Sequence, residues 1–392
     1  MPASRNHTTF ALLMLCSMLS LAGTDLILPA IPRLPELFAT TASTSQLVLA
    51  AYAGGSALGL LLFGHLAERI ARRTLLLGSL GVFALASLAC MFASGIDTLI
   101  ALRALQGAAS AAAPVFAPGI IRQLFDPQAS VRAIGLLGSA ESLSPALAPL
   151  AGAALLAHFG WRSSFGVLSV AAALAALLIL RLGLPPQTAA STPRGTYRQL
   201  LGDVCYLRYA LSQALTLGGL LTFVFGAPAV IVGAMGGSLD DFIILQIINV
   251  ASFIVAANLA ARLGERFGTE RIIMAGSLMG LFSALTLLLY GLGGGNDPRW
   301  LPLLFLPMGV GLGLRGPAGF YLGVVASGEN HARGSALIVF FILGITTLGT
   351  ALAAPFIGLG LAALAVVASA LHLLSTLLLW RLPALPGPTP AP

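Results

Sequence analysis

Apolar residues gather into long runs along this chain, separated by short polar turns. Twelve runs stand out, over 9–31, 44–64, 74–95, 98–121, 131–157, 163–183, 206–234, 240–262, 271–293, 300–325, 333–354 and 356–380. Each predicts a helix that crosses a bilayer, because about 20 residues rising 1.5 Å each span the hydrocarbon layer. The pattern also repeats. Residues 64–76 read GHLAERIARRTLL and residues 261–273 read ARLGERFGTERII, so Leu66-Ala67-Glu68-Arg69 recurs as Leu263-Gly264-Glu265-Arg266. Both copies sit between two long apolar runs. A half-length repeat in so apolar a chain marks a duplicated membrane bundle. The expected fold is therefore all-α and membrane-embedded, with twelve transmembrane helices in two pseudo-symmetric six-helix bundles.

The longest polar connection, 184–205, contains PPQTAASTPRGTYRQLLGDV and reads as a flexible linker. It divides the chain into an N-terminal bundle, 1–183, and a C-terminal bundle, 206–392. Composition agrees with this division. The chain is 58% hydrophobic and 8% charged, where a soluble domain carries about 25% charged residues. Lipid must be the solvent for most of its exterior, and the bilayer is its first partner.

The net charge of +7 does not indicate nucleic acid, since the arginines stand singly or in short turns between apolar runs. No lysine is present. With the N-terminus inside, the cytoplasmic segments hold 15 of the 20 arginines and the opposite side holds Arg33, Arg162 and Arg299. That bias predicts both termini in the cytoplasm and a multi-pass protein of a bacterial inner membrane. The stretch from Met1 to about Gly23 has the look of a signal peptide, but it is read as the first spanning helix, because its removal would leave an odd helix count. Cys16, Cys90 and Cys205 lie far apart and form no metal spacing or disulfide framework.

Four charges fall where water is hard to reach: Asp25, Arg103, Glu141 and Arg315. An ionised group at mid-bilayer costs a few to more than ten kcal/mol, so such residues pair, face a cavity or do chemistry. Asp25 is late in helix 1 and Arg103 early in helix 4, which places both in the outer third of the membrane and lets them face each other. Two readings fit, a structural ion pair or a proton site whose balance changes between conformations. Glu141, near the middle of helix 5, fits a cationic-substrate or second proton site as well as a packed polar contact. Arg315, among Gly311, Gly313 and Gly316 in helix 10, fits an anion site, a buried pair or a side chain that snorkels to the cytoplasmic surface. Tyr52, Gln106, Gln213 and Phe225 are the remaining substrate-cavity candidates, since a site for an amphipathic molecule needs apolar area and a few polar anchors. No Walker loop, Gly-x-Ser-x-Gly elbow or HExxH motif appears. The expectation is therefore no enzyme, no metal and no cofactor, with the proton gradient as energy source.

The motifs then resemble those of a known family, the major facilitator superfamily, over essentially the whole chain. Gly64-His65-Leu66-Ala67-Glu68-Arg69-Ile70-Ala71-Arg72-Arg73 is similar to its signature G-x-x-x-D-R-x-G-R-R, with Glu68 for Asp and Ala71 for Gly. Arg103-Ala104-Leu105-Gln106-Gly107 resembles the R-x-x-Q-G motif of proton-coupled members. Asp25-Leu26-Ile27-Leu28-Pro29-Ala30-Ile31-Pro32 looks like the D-x-x-x-P-x-x-P stretch of twelve-helix drug:proton antiporters of the bicyclomycin- and chloramphenicol-resistance (Bcr/CflA) type. The helix-5 motif of such antiporters, G-x-x-x-G-P-x-x-G-G, survives here as Pro149 and Gly152. The resemblance implies that Gly64, Glu68, Arg69, Arg72 and Arg73 latch helix ends during a conformational cycle, with Pro149 and Gly152 part of the same machinery. It also implies proton coupling through Asp25, Arg103 and Glu141, and efflux of small amphipathic or drug-like molecules through a cavity between the halves. A monomer is expected. The rival readings are a transporter of a sugar, peptide or other metabolite, and a non-transporting membrane receptor or assembly protein.

Overall fold

A computed structural model describes residues 3–67, 69–184 and 196–385. Glu68 and the central part of the 184–205 connection lie outside the described residues. Among the described residues no strand forms. The first unit, Met1–Ala190, holds α1 (Ala3–Asp25), α2 (Ala42–Leu66), α3 (Arg72–Met91), α4 (Ile96–Leu124, interrupted at Ala111), α5 (Pro127–Phe159) and α6 (Arg162–Leu182). The second unit, Ser191–Pro392, holds α7 (Val204–Ala229), α8 (Leu239–Phe267), α9 (Thr269–Leu292), α10 (Leu301–Ala326), α11 (His331–Ala353) and α12 (Leu361–Arg381). Eleven of these segments are long and apolar enough to cross a membrane among the described residues. The remaining one, α5, is 33 residues long. The chain is thus the all-α membrane protein its runs foretell.

Helix ends follow local chemistry. Thr41, Asp126 and Asp203 accept a backbone N–H at the starts of α2, α5 and α7, and Ser238 with Asp241 forms a capping box at the start of α8. Gly160, Gly268 and Gly360 sit at left-handed φ of 78°, 92° and 89° between consecutive helices, a conformation that other residues reach only with strain.

The two units share one packing scheme. In the first, α2 lies on α4, α3 on α4 and α6, and α1 on α5 and α6. In the second, α8 lies on α10, α9 on α10 and α12, and α7 on α11 and α12. Each pair becomes its counterpart when six is added to both helix numbers, which is what a duplicated bundle requires. Small residues make the closest crossings. A Cβ on Gly55, Gly59 or Gly107 would meet backbone atoms across the α2–α4 contact, and Gly276, Gly311 and Gly313 do the same around α10. Large apolar side chains such as Leu58, Leu85, Phe92, Leu289, Leu352 and Trp380 point outward, as an exterior dissolved in lipid allows.

Candidate functional site

The site begins at a break in α1. The helix ends at Asp25 and resumes as a 3-10 turn over Leu28–Arg33, which contains Pro29 and Pro32. Neither proline has an N–H to continue the α-helical ladder. The amide of Ile27 therefore turns to Thr24 O at 3.2 Å and that of Ala30 to Ile27 O at 2.9 Å. This shift leaves the carbonyls of Gly23 and Leu26 without their α-helical partners, and side chains take their place. Arg103 of α4 donates through Nη1 to Gly23 O at 2.6 Å. Ser164 of α6 donates to Leu26 O at 3.3 Å. Gly152 of α5 packs directly on Leu26 O, where a Cβ would come within 2.3 Å. Elements from α1, α4, α5 and α6 thus converge on the break.

Asp25 is buried at this point, with the Ser144 side chain of α5 as its polar neighbour. Arg103 is fully buried. Besides Gly23 O, its Nη1 reaches Gln106 Oε1 at 2.6 Å and its Nε reaches Val48 O at 3.3 Å, while Nη2 has no partner. Its guanidinium lies 4.2 Å from the centre of the Tyr52 ring, a cation–π contact. The Tyr52 hydroxyl donates to Ser20 O at 2.6 Å, close enough to Gly23 that any Cβ there would collide with it. Gln106 continues the network by donating to Ser87 Oγ of α3 at 2.7 Å.

Several expectations change here. Asp25 and Arg103 are brought to the same break but form no ion pair, because the carbonyl freed at Gly23 captures the guanidinium. Tyr52 and Gln106, expected to line a substrate cavity, are both buried and engaged inside the first unit. Glu141 is half-buried on α5 and faces Ser17 of α1, whose hydroxyl makes no formed hydrogen bond. Phe225 and Gln213 are buried on α7. Arg315 does not snorkel: it is fully buried, donating to Ser212 O at 2.7 Å, to Ser375 Oγ at 3.2 Å and to Thr216 Oγ1.

The charged turn after α2 is placed as follows. Gly64 lies in the last turn of α2 and Arg69 is exposed in the loop. Arg72 lies against Gly119 of α4, and Arg73 donates to Leu180 O at 3.1 Å, capping the end of α6. Pro149 is buried one turn before Gly152. A cluster that sequence reasoning missed performs the same capping in the second unit. Arg208 at the start of α7 donates to Leu379 O near the end of α12 at 3.2 and 3.0 Å. It also pairs with Glu270 of α9 at 2.9 Å and donates to the Tyr209 hydroxyl at 2.8 Å. The signal was an arginine one turn inside a spanning run, which had been counted only for topology.

Two like-packed helical units, an apolar exterior and a buried acid at a broken helix define a polytopic membrane transporter. Residues 13–354 match the sequence profile of the Major Facilitator Superfamily. The chain belongs to that family. It is 30% identical over 355 residues to the "Chloramphenicol resistance protein" of Pseudomonas aeruginosa, covering 87% of this chain and 82% of that protein. It is 25% identical over 346 residues to the "Bicyclomycin resistance protein homolog" of Haemophilus influenzae, with 85% and 83% covered. It is 26% identical over 351 residues to the "Multidrug resistance protein MdtL" of Salmonella heidelberg, with 83% and 86% covered. The fold is also that of the crystal structure of a D-xylose-proton symporter, with a TM-score of 0.75 at 15% identity over 96% of this chain and 97% of that one.

Proposed function

We propose that this transporter exports small amphipathic, drug-like molecules from the cytoplasm of a bacterium, across its inner membrane, in exchange for protons. The relatives named for chloramphenicol, bicyclomycin and multidrug resistance support the substrate class. The observation that carries proton coupling is Asp25 buried at the α1 break beside an arginine that bonds a carbonyl instead of the acid. Arg103 holds Gly23 O, two residues before Asp25 on the chain, so a movement of α1 changes what the guanidinium meets. A charge-assisted bond to a carboxylate is roughly twice as strong as one to a neutral acceptor. A shift of α1 that brings the carboxylate to Arg103 would favour release of the proton, and return of Arg103 to Gly23 O would favour its uptake. Glu141 serves the same cycle as a second acid on the facing helix. Both termini lie in the cytoplasm, the working unit is a monomer, and the proton gradient supplies the energy without a bound cofactor.

The test is efflux from proteoliposomes under an imposed pH gradient, using wild type and Asp25→Asn. Wild type drives proton-dependent movement of a drug such as chloramphenicol. Asp25→Asn elutes as a folded protein and loses the pH-driven component. Undiminished pH-driven efflux in Asp25→Asn removes Asp25 from the mechanism.

A further inference from the structure

Arg103 carries its charge among neutral atoms. Its Nε donates to Val48 O and its Nη1 to Gly23 O and Gln106 Oε1, and none of these acceptors is ionised. Nη2 has no hydrogen-bond partner. A buried guanidinium without a counter-charge is costly, so something besides three neutral acceptors must stabilise it. The first half of α4 packs against α1, α2 and α3. Among the described residues, the titratable groups those helices bring towards it are Asp25, Tyr52 and Cys90. Asp25 stands two residues beyond the carbonyl that the guanidinium holds. A phenol and a thiol are ordinarily neutral at pH 7.

Two aromatic rings meet that need. The guanidinium carbon lies 4.2 Å from the centre of the Tyr52 ring and 5.8 Å from the centre of the Phe165 ring, both within the range of a cation–π contact. Phe165 is fully buried in the first turn of α6, next to Ser164, which donates to Leu26 O at the break. Its ring is set by its neighbours. Trp161 stands against it at 6.0 Å with the ring planes at 89°, and Phe38 stands against Trp161 at 5.4 Å and 69°, the edge-to-face arrangement that aromatic pairs prefer. The Arg162 guanidinium lies 4.6 Å from the Trp161 ring and donates to Met91 O at 2.8 Å, which ties the turn before α6 to the end of α3.

We propose that Phe165, together with Tyr52, is a positioning residue for proton coupling: the two rings hold the charge of Arg103 while Asp25 is protonated and offers none. This rests on the proton-exchange reading above and adds Phe165 to it. The rings act unequally on the two states of the cycle. A guanidinium that has met a carboxylate is already neutralised, and a ring attracts such a pair more weakly than a lone cation. The rings therefore favour the state in which Arg103 bonds Gly23 O and the acid keeps its proton. Weakening a ring shifts the balance towards the ion pair, so a lower pH is needed to load the proton.

The test follows the carboxyl group directly, in the purified full-length protein and with no drug present. The infrared carbonyl stretch of protonated Asp25, identified by its loss in Asp25→Asn, is recorded against pH. Phe165→Leu removes the ring. Pentafluorophenylalanine placed at position 165 keeps the shape of the ring and reverses its quadrupole, so it decides the matter even where Phe165→Leu does not fold. Both should lower the pH at which the band is half-lost by roughly half to one unit, the size of one cation–π contact. An unchanged midpoint in the fluorinated protein overturns the proposal. So does a fall in melting temperature without a shift of the midpoint, which is what a purely structural ring would give. A pH-dependent band that Asp25→Asn removes, with no shift in the Phe165 proteins, overturns the role of the rings and leaves the proton-exchange reading in place. Absence of any pH-dependent band that Asp25→Asn removes overturns both.

Discussion

Gly107→Ala adds a single methyl group, and the structure says where the cost falls. The new Cβ would sit 2.1 Å from Tyr52 O, 2.8 Å from Tyr52 C and 3.0 Å from Tyr52 Cα. These are backbone atoms of α2, so no side-chain rotation relieves the overlap. The helices must separate by about an ångström to restore ordinary contact. Val48 lies one turn before Tyr52 on α2, and its carbonyl is already 3.3 Å from Arg103 Nε. Separation of that size breaks this bond and lifts the Tyr52 ring from the guanidinium. Overpacking typically costs about 1–3 kcal/mol, and a hydrogen bond to a charged group is worth about 1.5–3 kcal/mol. Together they remove about 2.5–6 kcal/mol, a large share of the roughly 5–15 kcal/mol that holds an average protein together. Gly81→Ala on α3 is the control, because nothing lies within 4 Å of its Cβ, and alanine is the better helix former by about 1 kcal/mol. Melting of the detergent-solubilised proteins, followed by fluorescence-detected size exclusion, should place Gly107→Ala about 10 °C below wild type and Gly81→Ala at or above it. Equal melting of Gly107→Ala and wild type would show that the α2–α4 contact does not hold Arg103 in place.

Two further outcomes follow from particular contacts. Arg208→Ala strands the Leu379 carbonyl inside the second unit, while the Tyr209 hydroxyl keeps Glu270 and the Leu385 amide, and should cost about 1–3 kcal/mol, whereas Glu270→Gln should cost under about 1 kcal/mol because that carboxylate is 40% exposed; melting in the reverse order would contradict the assignment of Arg208 as the α12 cap. Of the three thiols, Cys16 and Cys90 are buried and Cys205 is partly accessible, so maleimide should add one label to the native protein and three after denaturation, read by intact mass. Native labelling at two or more sites would mean that the first unit opens far more readily than its packing implies.

The bilayer made the helices legible. A solvent that offers no hydrogen bonds demands about 20 consecutive apolar residues per crossing, and each of the twelve runs became a helix. Asp25, Arg103, Glu141 and Arg315 were legible for the same reason, since charge in that solvent needs an explanation. What the residues do with their charge was not legible, because it depends on which backbone groups are free. The partner of Arg103 became evident only when the prolines after Asp25 were seen to shift the hydrogen bonds of Ile27 and Ala30, which exposes Gly23 O. Of the three readings open for Arg315, its place in the helix excludes snorkelling. It lies 11 residues from the end of its helix at Ala326, about 16 Å along the axis, which is beyond the reach of a snorkelling side chain. The Arg208 cap was hidden because its acceptor is a backbone carbonyl on α12, and a carbonyl has no signature in sequence.

Each half of the duplicated scaffold holds a buried arginine, and the surroundings of the two differ. In each unit the fourth helix carries one fully buried arginine, and in each that arginine donates to a backbone carbonyl of the first helix: Arg103 to Gly23 O of α1 and Arg315 to Ser212 O of α7. The two struts are not the same inherited position: by the register that pairs Leu66 with Leu263, Arg103 corresponds to Trp300 and Arg315 to Pro118. What differs is the first helix around the accepting carbonyl. In α1 the chain breaks at a pair of prolines and places Asp25 two residues further on. In α7 the helix continues unbroken through this point and presents Ser212, Gln213 and Thr216 instead. An acid whose distance from a guanidinium changes can take up or release a proton, while the arginine keeps its charge throughout. Hydroxyls and an amide cannot, but they hold the Arg315 guanidinium in place. A like strut therefore stands in each half, beside an acid where the helix is broken and among hydroxyls and an amide where it is not.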